Sequence, residues 1–207
     1  MKINKAFILG AGYGTRMGEI GLSLPKILWP LFERTILEHQ ILFCNKIGIK
    51  NIFINTHHRQ ELVTKFIKEN DLEISLINEK KILGVGGAIY NLKKVTGGGK
   101  VLVINGDQFY FWADIFNNLS NWVKEESRAT LLAVKIKTDE NYNSLQLNGS
   151  QLIGINNVKT KENNYTYSGV SVINLDLLES KEGYANFFDS IANYNEHDIK
   201  VLLPSCN

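Results

Sequence analysis

Glycine stands at the alternate positions Gly10, Gly12 and Gly14; Thr15 and Arg16 follow at once, and Pro25-Lys26 comes shortly after. Much later an apolar run, Val101 to Ile104, ends in Asn105-Gly106-Asp107. Bare glycine backbone lets successive N–H groups converge on one anion, because no Cβ blocks close approach. Arg16 and Lys26 add positive charge behind that loop, and a carboxylate such as Asp107 is the oxygen donor that a hard cation like Mg2+ selects. The combination reads as a cradle for a polyphosphate. Each residue also has a plainer reading. One or two glycines suffice for a turn, lysine and arginine are usually solvated, and aspartate after glycine satisfies ordinary turn chemistry.

Two familiar phosphate cradles fail the test of spacing. A dinucleotide fingerprint needs glycine where Thr15 stands, and a P-loop needs Gly-Lys-Ser/Thr, which is absent. The acidic residue that would grip a ribose at the end of the second strand is missing too, since the chain there reads Asn55-Thr56-His57. A nicotinamide-dependent redox reading drops to a distant third on those grounds. His57 and His58 invite a metal hypothesis, but neighbours on an extended segment point to opposite faces and cannot readily share an ion. They read as structural, with at most one contact near a ligand.

The elements that must position these residues alternate between strand and helix. Residues 5–9 read as a strand. A helix from Thr35 to Ile47 opens with a capping box, Thr35 and Glu38, and stops at Gly48. Strands at 51–55, 73–77 and 101–105 alternate with helices at 60–69 and 87–94. After a helix near 114–125 the pattern turns to strands at 130–136, 144–146, 151–155 and 166–173, with Asn148-Gly149 as a hairpin signal. The fold class is therefore α/β: a Rossmann-like, doubly wound, mostly parallel mixed sheet with a small antiparallel flanking sheet. Ligands belong in the crevice beyond the carboxyl ends of the strands.

The chain of 207 residues suits one domain, and its 44% hydrophobic and 21% charged content is ordinary for a globular protein. Net charge is only +2, yet residues 1–60 hold eight Lys/Arg against three Asp/Glu, so the N-terminal part is the expected home of an anionic ligand. No dense basic stripe with interleaved aromatics argues for nucleic acid, and no run approaches the length of a membrane span or a signal-peptide core. Cys44 and Cys206 lack metal-ligand spacing and read as reduced thiols in a cytoplasmic protein.

At the glycine loop with its Thr-Arg-Met ending and the Pro-Lys that follows, the chain resembles the sugar-1-phosphate nucleotidyltransferases. The stretch 24–59, including Asn55-Thr56-His57-His58, is similar to the mannose-1-phosphate guanylyltransferase and N-acetylmuramate-1-phosphate uridylyltransferase branch. "EKKILGVGGAI" (79–89) resembles that family's nucleobase and sugar loop, "NGD" (105–107) its magnesium aspartate, and "YTYSGVSVINLDLL" (165–178) its late sugar-contacting strand. The resemblance implies a single nucleotidyltransferase domain over 1–207 that joins a nucleoside triphosphate to a sugar 1-phosphate with Mg2+, with self-association left open. A nucleotide- or sugar-nucleotide-binding module without catalysis is the other reading.

On that resemblance Arg16, Lys26 and Asp107 are the catalytic residues, with Asp107 holding the metal. Leu9, Gly10, Ala11, Gly12, Gly14, Thr15, Glu79, Gly84 and Gly87 face the nucleotide; Asn157 and Gly169 face the sugar. Glu79 reads equally as a solvated carboxylate beside Lys80 and Lys81, and Gly86 with Gly87 as bare backbone for a ligand or as a plain helix start. The chain departs from the family at Val85, where many members have threonine, at Asn143, where they have glycine, and at 155–161, where a Glu-Lys-Pro run is usual. The aspartate-bearing segment that usually follows in this branch, source of a second magnesium ligand, is not found.

Overall fold

A computed structural model of the protein describes residues 3–14, 18–108, 126–137, 139–156 and 164–203. The expected helix near 114–125, together with Thr15, Arg16, Asn157, Lys159 and Cys206, lies outside the described residues.

The chain starts with β1 (Lys5–Leu9), the glycine loop and a short helix α1 (Gly18–Ser23). A tight hairpin, β2 (Pro30–Leu31) with β3 (Arg34–Thr35), is the small antiparallel sheet. Next come α2 (Ile36–Lys46), β4 (Asn51–Thr56), α3 (Gln60–Glu69), β5 (Ser75–Asn78), α4 (Gly84–Thr96) and β6 (Lys100–Asn105). The later strands are β7 (Ala129–Lys135), β8 (Ser144–Asn148), β9 (Gln151–Asn156), β10 (Tyr165–Asn174) and β11 (Ile199–Leu202).

Among the described residues the main sheet has nine strands in the order β5-β4-β1-β6-β10-β7-β11-β9-β8. Its first four strands run parallel. β10 enters antiparallel between β6 and β7, so the late strands extend the main sheet rather than standing apart from it. At the far edge β8 and β9 pair with Asn148 opposite Gln151, which leaves Gly149-Ser150 as a two-residue turn with Gly149 at φ +60.

Alternation along the strands covers both faces of the sheet. Phe7, Val101 and Val103 pack with Ile89 and Leu92 of α4 and with Phe187 and Ile191 of a short helical turn. Ala6, Ile8, Leu102 and Ile104 point the other way, onto Leu37, Ile41 and Phe43 of α2 and Val63 and Ile67 of α3. The architecture is the doubly wound, mixed sheet read from the pattern. Local signals explain several boundaries. Glu38 Oε2 accepts from Thr35 N–H at 2.7 Å while Thr35 Oγ1 accepts from Glu38 N–H, and Gly48 at φ +80 ends the same helix. Cys44 is buried against the sheet, and that burial pushes its thiol up to about 12.

Several boundaries differ from expectation, those of α4 and β5 most clearly. α4 begins at Gly84, three residues early, and β5 is displaced toward Asn78. Both shifts are set by tertiary pairing: Gly86 and Gly87 N–H groups donate to the Ala185 carbonyl, and β5 takes its register from β4.

Candidate active site

The strand ends place the glycine loop, the Asn55 corner and the Asn105-Gly106-Asp107 turn on one edge, because β1 pairs with both β4 and β6 and ends opposite Asn55 and Asn105. Gly106 N–H donates to the Leu9 carbonyl at 3.0 Å, and a Cβ on Gly106 would strike that same oxygen. The turn is thus pinned to the root of the loop. Gln40 of α2 holds it from below: its amide nitrogen donates to the Asn105 and Gln108 carbonyls at 2.9 and 3.0 Å. Gly169 sits at φ +82 where a Cβ would collide with Asn105 and Gln108 side chains, so the turn also fixes that glycine.

Lys26 reaches this turn from the 3-10 segment Lys26–Leu28. Its Nζ lies 3.0 Å from Asp107 Oδ2, with the two side chains 33% and 39% exposed. Two candidates 81 residues apart in sequence therefore meet beside the loop. Such a half-exposed pair is weakly held, about 0–1 kcal/mol, so either partner can turn to a phosphate or a cation. Asp107 offers hard oxygen donors, and Mg2+ takes few protein ligands while keeping water and phosphate oxygens, so the residue fits that ion. Among the described residues no group of three His, Cys, Asp or Glu could hold a metal by itself.

The glycines of the loop differ in what they meet. A Cβ on Gly10 would press on the Asn55 carbonyl oxygen and Ile54, and Gly14, at φ +65, would press on Gly21. Gly12 meets no described atom within 4 Å. Internal packing accounts for Gly10 and Gly14; nothing described accounts for Gly12.

The Gly10 N–H is already engaged within the protein, for it donates to Asn55 Oδ1 at 2.8 Å. Asn55 Nδ2 in turn donates to Glu79 Oε1 at 2.7 Å, and Glu79 Oε2 accepts from Leu83 N–H at 3.2 Å. Glu79 is only 5% exposed, so the solvated-carboxylate reading does not hold. Gly84 and Gly87 lie in the first turn of α4, where Cβ atoms would fall on the Ala185 and Gly183 carbonyl oxygens. The protein itself fills that side of their bare backbone. His57 and His58 have separate protein partners: His57 Nε2 faces the Tyr13 hydroxyl at 3.1 Å, and His58 Nε2 donates to the Leu22 carbonyl at 2.7 Å. Asn55, Gln40 and Tyr13 carry no role in the sequence reading. The available signal was polarity out of place, an amide closing an apolar strand and another on the apolar side of α2.

Comparison with known proteins identifies the family and the fold. The family described as "Nucleotidyl transferase" matches residues 5–161. A D-glycero-alpha-D-manno-heptose 1-phosphate guanylyltransferase of Aneurinibacillus thermoaerophilus is 25% identical over 177 residues, 84% of this chain and 76% of that protein. A mannose-1-phosphate guanylyltransferase regulatory subunit alpha of Dictyostelium discoideum is 28% identical over 145 residues, 65% of this chain but 35% of its own length. The chain thus spans between about a third and three quarters of these relatives. In fold it is similar to HddC from Yersinia pseudotuberculosis complexed with GMP-PN, at 19% identity and a TM-score of 0.82, covering 97% of this chain and 90% of that one. It is similar also to the inositol-1-phosphate CTP transferase of T. maritima, at 18% identity and a TM-score of 0.76, covering 97% and 85%.

Proposed function

Because the chain belongs to the nucleotidyl transferase family, we propose that it transfers a nucleotidyl group from a nucleoside triphosphate to a sugar 1-phosphate, giving a nucleotide-diphosphate sugar and pyrophosphate. The observation behind this is the meeting of Lys26 and Asp107 at 3.0 Å on a turn tied to the glycine loop. A phosphate oxygen of the sugar 1-phosphate attacks the α-phosphorus in line. That P–O bond forms as the bond to the β-phosphate breaks, and pyrophosphate departs with the electron pair. A phosphate monoester has a second pKa of about 6, so the nucleophile is largely a dianion at neutral pH and needs no general base. The protein's task is to bring two anions together and offset the charge that builds between them.

Lys26 turns from Asp107 to the phosphates, and Gly12 supplies the bare backbone that the triphosphate approaches. Arg16 takes the outer phosphates, a role that rests on the sequence. Asp107 would hold Mg2+, which supplies charge neutralisation at the phosphate oxygens. The sugar lies toward Gly169, with Asn157 assigned to it from the sequence alone. Guanine is the first base to test, since two relatives named heptose 1-phosphate guanylyltransferases align with 84% and 72% of the chain. Fold does not choose the base, because solved structures titled for UDP-glucose, thymidylyl and CTP chemistry share it. We place the reaction in the cytoplasm, its product feeding a cell-envelope polysaccharide.

The test is pyrophosphate release from a matrix of triphosphates and sugar 1-phosphates, with GTP first. Release that requires both substrates is the expected result. The regulatory subunit among the relatives favours a second reading, a nucleotide-sugar-binding module without turnover. A thermal midpoint raised by a nucleotide sugar, with no pyrophosphate from any pair, would select it.

A further inference from the structure

We propose that the corner at the end of β4, Asn55 to His58, is a brace that sets the glycine loop against segment 79–87, with Asn55 and His57 as its positioning residues. The inference rests on the nucleotidyl-transfer reading of that loop. Every residue of the corner is engaged. Asn55, 4% exposed, links the Gly10 N–H on one side to the Glu79 carboxylate on the other. Thr56 accepts from Glu79 N–H at 2.8 Å through its carbonyl, and its hydroxyl donates to Asn78 Oδ1 at 2.7 Å. His57 Nδ1 lies 2.7 Å from the Glu79 carbonyl oxygen, which can only accept, so Nδ1 carries the proton. In the neutral ring Nε2 then accepts from the Tyr13 hydroxyl. His58 ties down Leu22, and Tyr13 lies against both imidazoles, with ring centroids 5.4 and 5.7 Å away.

A strand end needs none of this. An apolar residue at position 55 would seal the sheet without taking a carboxylate out of water, which is unfavourable unless the charge is hydrogen-bonded. Glu79 meets that condition entirely within the protein, so it acts through Asn55 and Leu83 N–H rather than on substrate. What the brace secures is spacing: the loop that holds phosphates and the segment leading into α4 move as one body. Displacement of reacting groups by about 1 Å lowers rate on the order of a hundredfold.

An exchange of chemistry between the two partners tests the brace. Asn55→Asp alone sets two carboxylates against each other. Asn55→Asp with Glu79→Gln restores the set: the introduced carboxylate accepts from Gly10 N–H and from the introduced amide, whose oxygen in turn accepts from Leu83 N–H. The expected result is a roughly tenfold rise in triphosphate KM with a fall in kcat for the single variant, and return to within about threefold of wild type in the double variant. Hydrogen exchange should show peptides 10–14 and 80–87 losing protection together in the single variant and regaining it together in the double. A double variant as impaired as Glu79→Gln alone would overturn the proposal, because the carboxylate would then be required by substrate. A shift in thermal midpoint with unchanged kinetics and uncoupled exchange would overturn it as well. The exchange experiment needs no turnover, so absence of pyrophosphate in wild type would defeat the proposed reaction while leaving the brace to be judged on its own.

Discussion

Two carboxylates stand at the same edge of the sheet in opposite circumstances. Glu79 is 5% exposed and both its oxygens accept hydrogen bonds from the protein. Asp107 has a 39% exposed side chain, and the bond from Lys26 crosses a half-open surface. A buried charge with fixed partners is architecture, because loosening it strands donors away from water. An exposed pair is held by little and can exchange partners. On the proposed reaction, the difference separates groups that would shape the site from groups that would act in it, a separation residue type alone does not reveal.

If that separation is right, loss of the exposed pair lowers rate with little effect on stability, whereas loss of the buried one lowers stability as well. Lys26→Ala should lower kcat/KM on the order of a hundredfold or more, through loss of a charge-assisted contact that strengthens in the transition state. Circular dichroism and the urea midpoint should barely move. Retention of more than half the wild-type activity would return Lys26 to the class of solvated surface cations.

Glu79→Ala should show the reverse emphasis. Asn55 Nδ2 and Leu83 N–H lose their acceptor where water is scarce, and unfolding free energy should drop by about 2–3 kcal/mol. The matching Asp107→Ala should stay within about 1 kcal/mol. Urea unfolding of the two variants side by side makes the comparison, and equal losses would erase the distinction.

Much of this edge was legible beforehand, and the part that was not has a physical reason. The bounds of α3 and the Thr35 cap follow from local periodicity and local hydrogen bonding, which short windows contain. Lys26 and Asp107 stand out by residue type, and the structure brings their side chains together at 3.0 Å. The helical turn at Phe187–Ile191 and strand β11 were not read, since each is short and is formed by what it packs on. Their partners, α4 and β7, lie far away in sequence. Asn55 and Gln40 were missed for the same reason. A buried amide shows its purpose only when residues distant in sequence arrive around it, as Gly10 and Glu79 do at Asn55 and the Asn105 turn does at Gln40.

Smaller effects probe the acting side more finely. Asp107→Asn is nearly isosteric and removes a charged oxygen donor, so the magnesium needed for half-maximal rate should rise about tenfold, ahead of any loss in metal-free triphosphate binding. An unchanged magnesium titration would leave Asp107 a turn residue. Gly12→Ala should fold normally, since its Cβ meets no described atom within 4 Å, yet raise triphosphate KM severalfold. Unaltered KM would mean the ligand never approaches that backbone.

The smallest expected effect sits where the two regimes touch. Tyr13 is 44% exposed, and its hydroxyl donates to His57 of the brace while its loop is the proposed phosphate cradle. A neutral hydrogen bond open to solvent contributes about 0.5–1 kcal/mol, because water replaces most of what is lost. Tyr13→Phe keeps the ring against both histidines and removes only that bond. Triphosphate KM should rise about two- to threefold with kcat unchanged, the pattern of a lost positioning contact made equally in ground and transition states. His57→Asn keeps a donor near Nδ1 for the Glu79 carbonyl but loses the acceptor facing Tyr13. If the brace reaches the loop through this bond, Tyr13→Phe should add nothing in the His57→Asn background, and a double-mutant cycle on KM should show coupling equal to the single effect. Additive changes would mean Tyr13 acts on the ligand directly. The loop would then be held to the brace at Gly10 alone, and the boundary between shaping and acting groups would run between Gly10 and Tyr13 rather than beyond the loop.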